Sequence, residues 1–392
     1  MLNSASSNRL PSEMQVDKRI GILVVSHTYV VGVNQRKVEE MARISDLSVS
    51  LLIPSRFLDL LRDTKAECLT PSRFEMISSP VLFAGHQIRY LYHPGLLWRT
   101  LSRLRPDVVQ VEEEPGSLSL LQLGLLKILF GFKLIFFTWE NIFRTSLASP
   151  IEKVNLALAD GAIAGNREAA TVLRRKGFKG PVEVITQLGV DVEDFTCVAK
   201  AVTRENLGLR GFVVGYVGRL VEEKGLLSLV GAFARLDTEA TLLFVGKGPL
   251  KPAVRLLASE LGIEHKLVFV DAVKHDEVPA YLSCLDVLVL PSRSGKLWKE
   301  QFGHVLIEAM ASGIPVVGSS SGAIPEVIGS AGLIFPEGDV AALREALGDL
   351  AHNPNLRTRL SELGKKRVAE NFTHQEVARR TRKFYDEILP RR

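Results

Sequence analysis

The sequence predicts an α/β protein built from two doubly wound parallel-sheet domains that face a central cleft. Apolar runs of strand length alternate with stretches of helical periodicity along most of the chain. The alternation stops at residues 186–211, which have the character of a linker, and then starts again. In addition, 392 residues of which 46% are hydrophobic are enough to bury two sizeable cores.

The domain boundaries follow from the same patterns. Residues 1–18 are polar and rich in serine, so we expect a flexible N-terminal tail that is no signal peptide. The first domain is expected to span residues 19–195 and the second residues 196–372. Residues 373–392 hold a final helix, and amphipathic periodicity predicts it over residues 373–389.

In the first half, apolar runs predict strands and the periodic stretches between them predict helices. The predicted strands are 20–25, 49–53, 74–81, 87–92, 107–111, 133–138, 161–164 and 182–185. The predicted helices are 35–44, 96–104, a buried helix that starts at Leu118, 151–158 and 167–176.

The second half repeats this order. Its predicted strands are 212–217, 240–245, 266–270, 287–290, 315–317 and 332–335. Its predicted helices are 226–236, one that follows Gly303, and those from Asp339 onward.

The apolar stretch 118–137 has enough hydrophobic residues to resemble a membrane span. It contains Lys127 and Lys133, and Gly131 divides it, so we interpret it as a buried helix followed by a strand. A peripheral contact with a membrane stays open.

Charge and cysteine content restrict the function classes. The formal net charge is +5 and the pI about 9.0, which is too mild for a dedicated nucleic-acid binder. This charge indicates either ordinary solubility or attraction to anionic lipid or a phosphorylated substrate. Cys68, Cys197 and Cys284 show no metal-binding spacing, and so sparse a set is typical of a reducing cytosol.

In doubly wound sheets, ligands bind beyond the carboxyl ends of the strands. Several polar residues of the first half fall at such ends or in the loops that follow them, and they are candidate ligand contacts: His27, Gly32, Glu112–Glu114, Trp139–Asn141 and Asn166.

The most informative segment, residues 286–317, predicts a strand, a polar loop and an amphipathic helix. Glu300 and Glu308 bracket the start of this helix, and if both were helical they would lie about 12 Å apart along its axis. That distance excludes a shared proton or a common metal and suits two hydroxyl-bearing parts of one ligand. Between them, Phe302 and Gly303 expose backbone amides at a helix N-terminus, which favours phosphate. A nucleotide sugar has this distribution of groups.

The pattern from Glu300 to Glu308, followed by an Ala-Ser-Gly-Ile-Pro-Val-Val run, resembles the donor-site signature of retaining glycosyltransferases of family 4. This resemblance implies the GT-B fold, with two Rossmann-like domains and a last helix that crosses back onto the first domain. It also implies metal-independent transfer, a nucleoside diphosphate sugar as co-substrate and no further cofactor.

The resemblance assigns roles to other residues. Gly218, Arg219 and Lys224 would clamp the pyrophosphate, since a strand-end glycine admits phosphate and two cations neutralise it. Glu308 would hold the ribose and Glu300 the transferred sugar, so that Glu300, Arg219 and Lys224 form the catalytic set. The remaining donor contacts would come from Gly32, Gly246, Gly248, Ala272, Val273, Phe302 and Gly303, although Gly248 equally fits a simple turn.

Two departures from the family pattern concern the first domain. Only Gly32 represents the usual Gly-Gly pair, and Trp139-Glu140-Asn141 stands where many members have a histidine. His27 or Glu140 could approach the reaction centre or be structural. Trp139 is either a sugar platform or a core residue, and Asn166 is a candidate acceptor contact.

Together these features predict a retaining hexosyltransferase that uses a UDP- or GDP-linked sugar. The acceptor would be a hydroxyl of a glycan, a lipid-linked saccharide or a small molecule, in cell-surface polysaccharide synthesis. The expected location is the cytoplasm or the inner face of the membrane. Two alternatives remain: a sugar-nucleotide 2-epimerase of the same fold, and a non-catalytic nucleotide-sugar-binding partner protein.

Overall fold

A computed structural model describes residues 19–58, 63–70, 72–85, 88–143, 150–196 and 203–390. The expected tail, Cys197 and the first residue of the predicted strand 87–92 lie outside the described residues.

The first domain is a parallel sheet covered by helices. Its strands are β1 (Ile20–Val25), β2 (Leu47–Pro54), β3 (Arg56–Leu58), β4 (Asp63–Lys65), β5 (Glu75–Ser79), β6 (Val81–Leu82), β7 (Leu91–Tyr92), β8 (Val108–Val111), β9 (Lys133–Thr138), β10 (Gly161–Ala164) and β11 (Val182–Val184). Its helices are α1 (Arg36–Ala42), α2 (Pro94–Leu104), α3 (Leu118–Phe130), α4 (Pro150–Leu158) and α5 (Arg167–Arg175), with 3₁₀ turns at Thr28–Val30 and Gly32–Gln35. The main sheet has the order β11-β10-β9-β8-β1-β2-β5.

The predicted strands 74–81 and 87–92 were only partly right. β5 ends at Ser79 because Pro80 has no N–H to donate to the ladder. Val81 instead starts a separate antiparallel hairpin, in which β6 pairs with β7. The hairpin of β3 and β4 was not predicted from the sequence.

The second domain repeats the architecture with β12 (Phe212–Val217), β13 (Ala240–Val245), β14 (Leu267–Val270), β15 (Val287–Leu290), β16 (Val316–Ser319) and β17 (Gly332–Phe335). They form a parallel sheet in the order β14-β13-β12-β15-β16-β17. The helices that follow in the chain are α6 (Val192–Thr196), α7 (Leu226–Phe233), α8 (Lys251–Glu260), α9 (Val278–Leu282), α10 (His304–Ala311), α11 (Ile324–Ile328), α12 (Val340–His352), α13 (Pro354–Asn371) and α14 (His374–Ile388). Short 3₁₀ turns lie at Glu222–Lys224, Glu264–Lys266 and His275–Glu277.

Each domain has its own core, and α14 belongs to the core of the first. Val377, Phe384, Tyr385 and Ile388 are buried together with β1, β8 and β10. The Tyr385 hydroxyl donates to Gln110 Oε1 over 2.7 Å inside this core. The last helix therefore completes the domain in which the chain begins.

The chain passes between the domains twice, at residues that lie side by side. Val190 N donates to Phe372 O over 2.9 Å, and His374 N donates to Val190 O over 3.3 Å. Gly189 lies against this bridge, and a Cβ there would come within 2.6 Å of the backbone at Thr373. Only glycine fits at that position.

Helix α3 occupies the apolar stretch that resembled a membrane span. It ends at Gly131 in a left-handed conformation, and β9 starts two residues later, as predicted. Among the described residues, no helix combines the length and the hydropathy that a membrane crossing requires.

Candidate active site

The strand ends of the two sheets approach each other across an interdomain cleft. Polar residues follow β1, β8 and β9 on one side and β12, β13 and β15 on the other. Cavities of about 940, 340 and 260 Å³ lie along this cleft. Trp139 and Gln301 line both of the larger cavities, which therefore meet at these two side chains.

Glu300 lies in the loop before α10 and not on the helix, so the helical estimate of its distance from Glu308 does not apply. Its carboxylate accepts hydrogen bonds from Lys224 Nζ over 2.5 Å and from Ser292 Oγ over 2.7 Å. Its side chain is 9% exposed and that of Lys224 is 15% exposed. The ion pair is thus nearly removed from water. Charge interactions are stronger in such a buried site than in water. It fixes the carboxylate at the wall of the 340 Å³ cavity.

Helix α10 begins directly after the left-handed residue Gly303, whose φ is +82°. A Cβ at Gly303 would lie 2.7 Å from Leu290 Cδ2, so both the backbone angle and the space require glycine. Phe302 is buried and anchors the loop in the second core. The first amides of α10 consequently face the 340 Å³ cavity, which Gly303 and His304 line.

Arg219 is the more accessible of the two predicted cations. Its guanidinium lies 3.8 Å from Glu223, and its side chain is 57% exposed. Gly218 before it has φ +150°. A Cβ on Gly246 would lie 2.0 Å from Gly218 O, and one on Gly248 would lie 2.2 Å from Leu220 O. These glycines let the loops after β12 and β13 pack backbone to backbone.

His304 lines the 340 Å³ cavity and also the 260 Å³ cavity, which holds Glu308. The first of these cavities has the two cations and Glu300, whereas the second contains Arg36 from the first domain. A long ligand that passes His304 would reach both glutamates.

Burial sets the protonation of the groups around His304. It raises the pKa of Glu308 to about 7, and the nearest imidazole, that of His275, is 3.9 Å away. Burial also lowers the pKa of His304 to about 4, so this imidazole is neutral at physiological pH. A neutral imidazole and a half-ionised carboxyl group can each accept hydrogen bonds from ribose hydroxyls or donate hydrogen bonds to them.

The other predicted donor residues have varied surroundings. The Gly32 amide donates to Glu67 Oε2 over 2.7 Å, so a phosphate would have to displace that carboxylate. Ala272 is exposed after β14, and Val273 packs against the second core. Neither is held by a side chain that would identify a nucleobase.

The 940 Å³ cleft lies on the side of the first domain. Its walls include His27, Arg89, Glu114, Glu140 and Lys176. Oppositely charged and hydrogen-bonding side chains thus line a cavity large enough for a saccharide.

The three glutamates after β8 have different tasks. Glu112 is buried and accepts from Lys37 Nζ over 2.5 Å and from the Tyr29 hydroxyl over 2.7 Å, which is a structural role. Glu113 accepts from His27 Nδ1 over 2.7 Å. Glu114 borders the cleft, and burial raises the pKa of its carboxyl to about 7.

Trp139 occupies the position where many family 4 members have a histidine. Its indole N–H donates to Gln187 Oε1 over 3.1 Å. Its ring lies 5.7 Å from the Phe302 ring and 6.4 Å from the His304 ring, measured between centroids. It packs against both cores, as a core residue does, and it also lines both larger cavities.

His27, Glu140 and Asn166 differ in how they relate to the cleft. The His27 ring stacks on Phe57 at 4.6 Å and lines the cleft. Glu140 forms an ion pair with Lys176, which also binds Glu152. Asn166 is buried, caps α5 and donates to the Gln301 carbonyl over 2.7 Å. It therefore contacts the loop that carries Glu300 (the donor loop, residues 299–302) instead of the cleft.

Several site residues were missed in the sequence. Ser292 and His304 lie inside the segment that carried the motif, and their positions beside Pro291 and Gly303 could have indicated them. Arg36 and His275 reach the site from loops and short elements that carry no motif. Among the described residues, no three His, Cys, Asp or Glu side chains lie together in a way that could hold a metal ion.

Comparisons with known proteins agree with this geometry. Residues 201–367 match the family model described as glycosyl transferases group 1. The 2-deoxystreptamine N-acetyl-D-glucosaminyltransferase of Streptomyces fradiae is 38% identical over 144 residues, which cover 35% of this chain and 33% of that protein. A GDP-mannose-dependent alpha-(1-6)-phosphatidylinositol monomannoside mannosyltransferase of Mycolicibacterium smegmatis is 33% identical over 205 residues, 49% of this chain and 54% of that protein.

The chain therefore spans about a third to a half of the length of these curated relatives. The Anabaena protein HepE, solved in complex with UDP, matches 94% of this chain and 99% of its own with a TM-score of 0.72. The two sequences are 16% identical, so that likeness concerns the fold. The second domain thus resembles the glycosyl transferases group 1 over residues 201–367, and the two-domain architecture of the chain is the GT-B fold.

Proposed function

We propose that the protein is a retaining glycosyltransferase that moves a hexose from a UDP- or GDP-linked sugar to an acceptor hydroxyl. The observation that carries this proposal is the arrangement around α10. Glu300 and Glu308 lie on either side of the N-terminus of one helix, and Lys224 and Arg219 line the same cavity as Glu300. A nucleotide sugar needs carboxylates at its hydroxyl-rich ends and positive charge at its diphosphate.

Each residue has a role in the transfer. The bond between the anomeric carbon and the diphosphate breaks, and charge accumulates on the diphosphate oxygens. Arg219, Lys224 and the amides of α10 stabilise that charge without a metal ion. The acceptor oxygen attacks the face from which the diphosphate leaves, and a diphosphate oxygen takes its proton. Glu300 holds the sugar hydroxyls, so catalysis is mainly positioning and charge stabilisation.

The acceptor is expected in the 940 Å³ cleft, where Trp139 offers an apolar ring face beside hydrogen-bonding groups. The names of two relatives include a 2-deoxystreptamine and a phosphatidylinositol mannoside acceptor. Both are hydroxyl-rich, which supports a glycan, a lipid-linked saccharide or a small molecule as the acceptor here. We propose that the protein acts in cell-surface polysaccharide synthesis from the cytoplasmic side.

The direct test is binding of UDP, GDP and ADP, and of UDP-glucose, UDP-N-acetylglucosamine and GDP-mannose, measured as thermal shifts without added metal. A ligand that binds only the native state raises the melting temperature by mass action. We expect one nucleotide to stabilise the protein, and one of its sugars to stabilise it further. No shift at millimolar concentrations would contradict the proposal.

Product analysis separates the alternatives. A transferase forms a new glycoside, a sugar-nucleotide 2-epimerase returns an epimerised donor, and a non-catalytic partner protein leaves the donor unchanged. The anomeric configuration of the new glycoside, read by NMR, tests retention.

We also propose that the first domain contacts a membrane peripherally through an apolar face formed by Trp98, Leu125, Ile128 and Leu129. These side chains are 49%, 53%, 70% and 69% exposed. The Trp98 and Phe130 rings lie 5.0 Å apart, which joins α2 to α3. Neither helix contains an acidic residue, whereas Arg99 is exposed on α2, as is Arg103 in an ion pair with Glu75. An apolar face rimmed by cations fits an anionic lipid surface.

The membrane contact is tested by sedimentation with vesicles of phosphatidylcholine that contain phosphatidylglycerol. Ile128→Asp should lower the bound fraction about tenfold or more, since burial of such a side chain contributes about 1.5–3 kcal/mol. Leu256→Asp is the matched control, because Leu256 is 62% exposed on α8 of the other domain. Equal binding of Ile128→Asp and the wild type would contradict the proposal, and so would binding that ignores the anionic lipid.

A further inference from the structure

Two asparagines of the first domain donate to the backbone of the loop that carries Glu300. Asn141 Nδ2 donates to the Glu300 carbonyl over 3.1 Å, and Asn166 Nδ2 donates to the Gln301 carbonyl over 2.7 Å. Both asparagines are buried. Side chains of one domain therefore hold consecutive peptide groups of the other.

Further contacts surround this pair. Gln301 Nε2 donates to the Trp139 carbonyl over 3.3 Å, and Lys299 forms an ion pair with Glu168 over 3.0 Å. Every residue of the loop from Lys299 to Phe302 thus touches residues 139–141 or 166–168 of the first domain.

The Glu300 carbonyl also accepts from Ala323 N over 3.0 Å, which belongs to its own domain. It lies between the two domains with one donor from each. A Cβ on Gly322 would come within 2.1 Å of the same oxygen, so the second-domain side of the peptide is closely fitted. The position of the Glu300 backbone consequently depends on both domains.

We propose that Asn141 and Asn166 are positioning residues that set the Glu300 carboxylate for the donor sugar when the domains are closed. This inference rests on the proposed function of Glu300. Two amide donors on neighbouring carbonyls restrict both the translation and the tilt of the loop. When the cleft opens, both bonds break together and the carboxylate loses its fixed place. The enzyme would then distinguish a sugar-bearing donor from a bare nucleotide only in the closed form.

The sharpest variant is Asn166→Asp. Asn166 Oδ1 accepts from Ala169 N over 2.8 Å as the cap of α5, and aspartate keeps that cap. The substitution removes only the N–H that points at Gln301 and places a carboxylate oxygen against a carbonyl. Asn141→Asp removes the N–H at the Glu300 carbonyl, and it also removes the bond from Asn141 Nδ2 to Glu168 Oε2 over 3.3 Å.

Asn353→Asp is the matched control. Asn353 caps α13 by accepting from Leu356 N over 3.0 Å, and it is exposed to solvent. The same chemical change therefore occurs at a helix cap that makes no contact with the donor loop in the described structure.

The first readout needs no ligand. Hydrogen–deuterium exchange of the segment 299–303 and of Ala323 should accelerate about tenfold in Asn166→Asp, the effect expected from the loss of one hydrogen bond. Asn353→Asp should exchange like the wild type. Unchanged exchange in both Asn141→Asp and Asn166→Asp would overturn the positioning role.

The second readout compares affinities for UDP and UDP-glucose, and for GDP and GDP-mannose, together with the rate at which each sugar nucleotide is hydrolysed by water. Affinity for the bare nucleotide should stay within about twofold, while the extra affinity due to the sugar and the hydrolysis rate fall about tenfold. Faster exchange with unchanged sugar affinity and hydrolysis would show a merely structural contact and overturn the inference. If the wild type binds none of these compounds, the proposed function fails, and the exchange rates alone then decide whether the asparagines hold the loop.

Discussion

Glu300 and Glu308 are the same residue type on one short segment, yet their environments differ. Glu300 is compensated by Lys224 and Ser292, whereas the His275 imidazole, 3.9 Å from Glu308, has its own pKa lowered by burial and offers no such compensation. The first carboxylate is therefore held in a fixed position by an ion pair and a hydrogen bond. The second is poised between its two protonation states near neutral pH.

For Glu300 we predict that Glu300→Gln lowers the turnover number by about 10²–10³-fold and leaves nucleotide affinity within about threefold. Glutamine still accepts from Ser292, whereas Glu300→Ala would leave Lys224 buried without a partner. Steady-state rates with the donor chosen by the binding panel, and calorimetry with the bare nucleotide, provide the two numbers. Glu345→Gln on the exposed face of α12 is the control. Equal losses in rate and nucleotide affinity would contradict the sugar-binding role.

For Glu308 we predict that nucleotide affinity rises with pH. Ribose hydroxyls donate hydrogen bonds to an ionised carboxylate. The pKa of Glu308 in the protein without ligand is about 7, so nucleotide binding should strengthen between about pH 6 and pH 8. Glu308→Gln should bind more weakly and show a flatter profile over this range. Titration calorimetry at several pH values measures both effects. A wild-type profile that Glu308→Gln reproduces would remove Glu308 from the ribose site.

The same pKa has a consequence for stability. Because burial raises it in the folded state, the contribution of Glu308 to stability is fully present below the unfolded pKa near 4.5 and is lost as the pH rises through about 7. Glu308→Gln should therefore be at least as stable as the wild type at pH 8.

Among the elements, α14 is fitted to β10 so closely that a glycine is required. A Cβ on Gly161 would lie 2.5 Å from Ile388 Cδ1 and 3.1 Å from Phe384 Cζ. The absent side chain allows the last helix to lie directly on the strand.

We predict that Gly161→Ala destabilises the protein by about 1–3 kcal/mol through overpacking. Adding Ile388→Val should restore part of this loss, because it removes the methyl group at the closest approach. Gly348→Ala is the control, since no atom lies within 4 Å of a Cβ there and the site is inside α12. Urea unfolding of the wild type, Gly161→Ala, Ile388→Val and the double variant measures the coupling, and strictly additive effects would contradict the contact.

The elements were predictable from the sequence wherever a strand is buried on both faces. β1, β10, β12, β13 and β15 have the predicted bounds, because such strands are continuous apolar runs. The short hairpins of β3 with β4 and β6 with β7 lack that signal. Helix α8 was likewise missed.

The candidate site was predictable only where a local motif carries it. Glu300, Glu308, Arg219 and Lys224 lie at strand and helix ends within one domain. Asn141 and Asn166 contact residues 159 and 135 positions away, and no periodicity reports such a pairing. The ion pair between Glu112 and Lys37 could not be predicted from the sequence for the same reason.

At the scale of the whole molecule, the proposed donor cavity of 340 Å³ and the proposed acceptor cavity of 940 Å³ lie mainly in different domains but share Trp139 and Gln301 as walls. One domain alone would have half a site. Any change in the angle between the domains alters the distance between the two substrates, which makes closure part of the proposed catalysis.

The bridge between Val190 and Thr373 constrains how that closure can occur. Two independent linkers would let one domain both rotate and twist relative to the other. Because the two crossings are hydrogen-bonded side by side, we expect them to act as a single hinge between the domains. Opening is then largely a rotation about one axis through Val190 and Thr373, and residues far from that axis travel furthest.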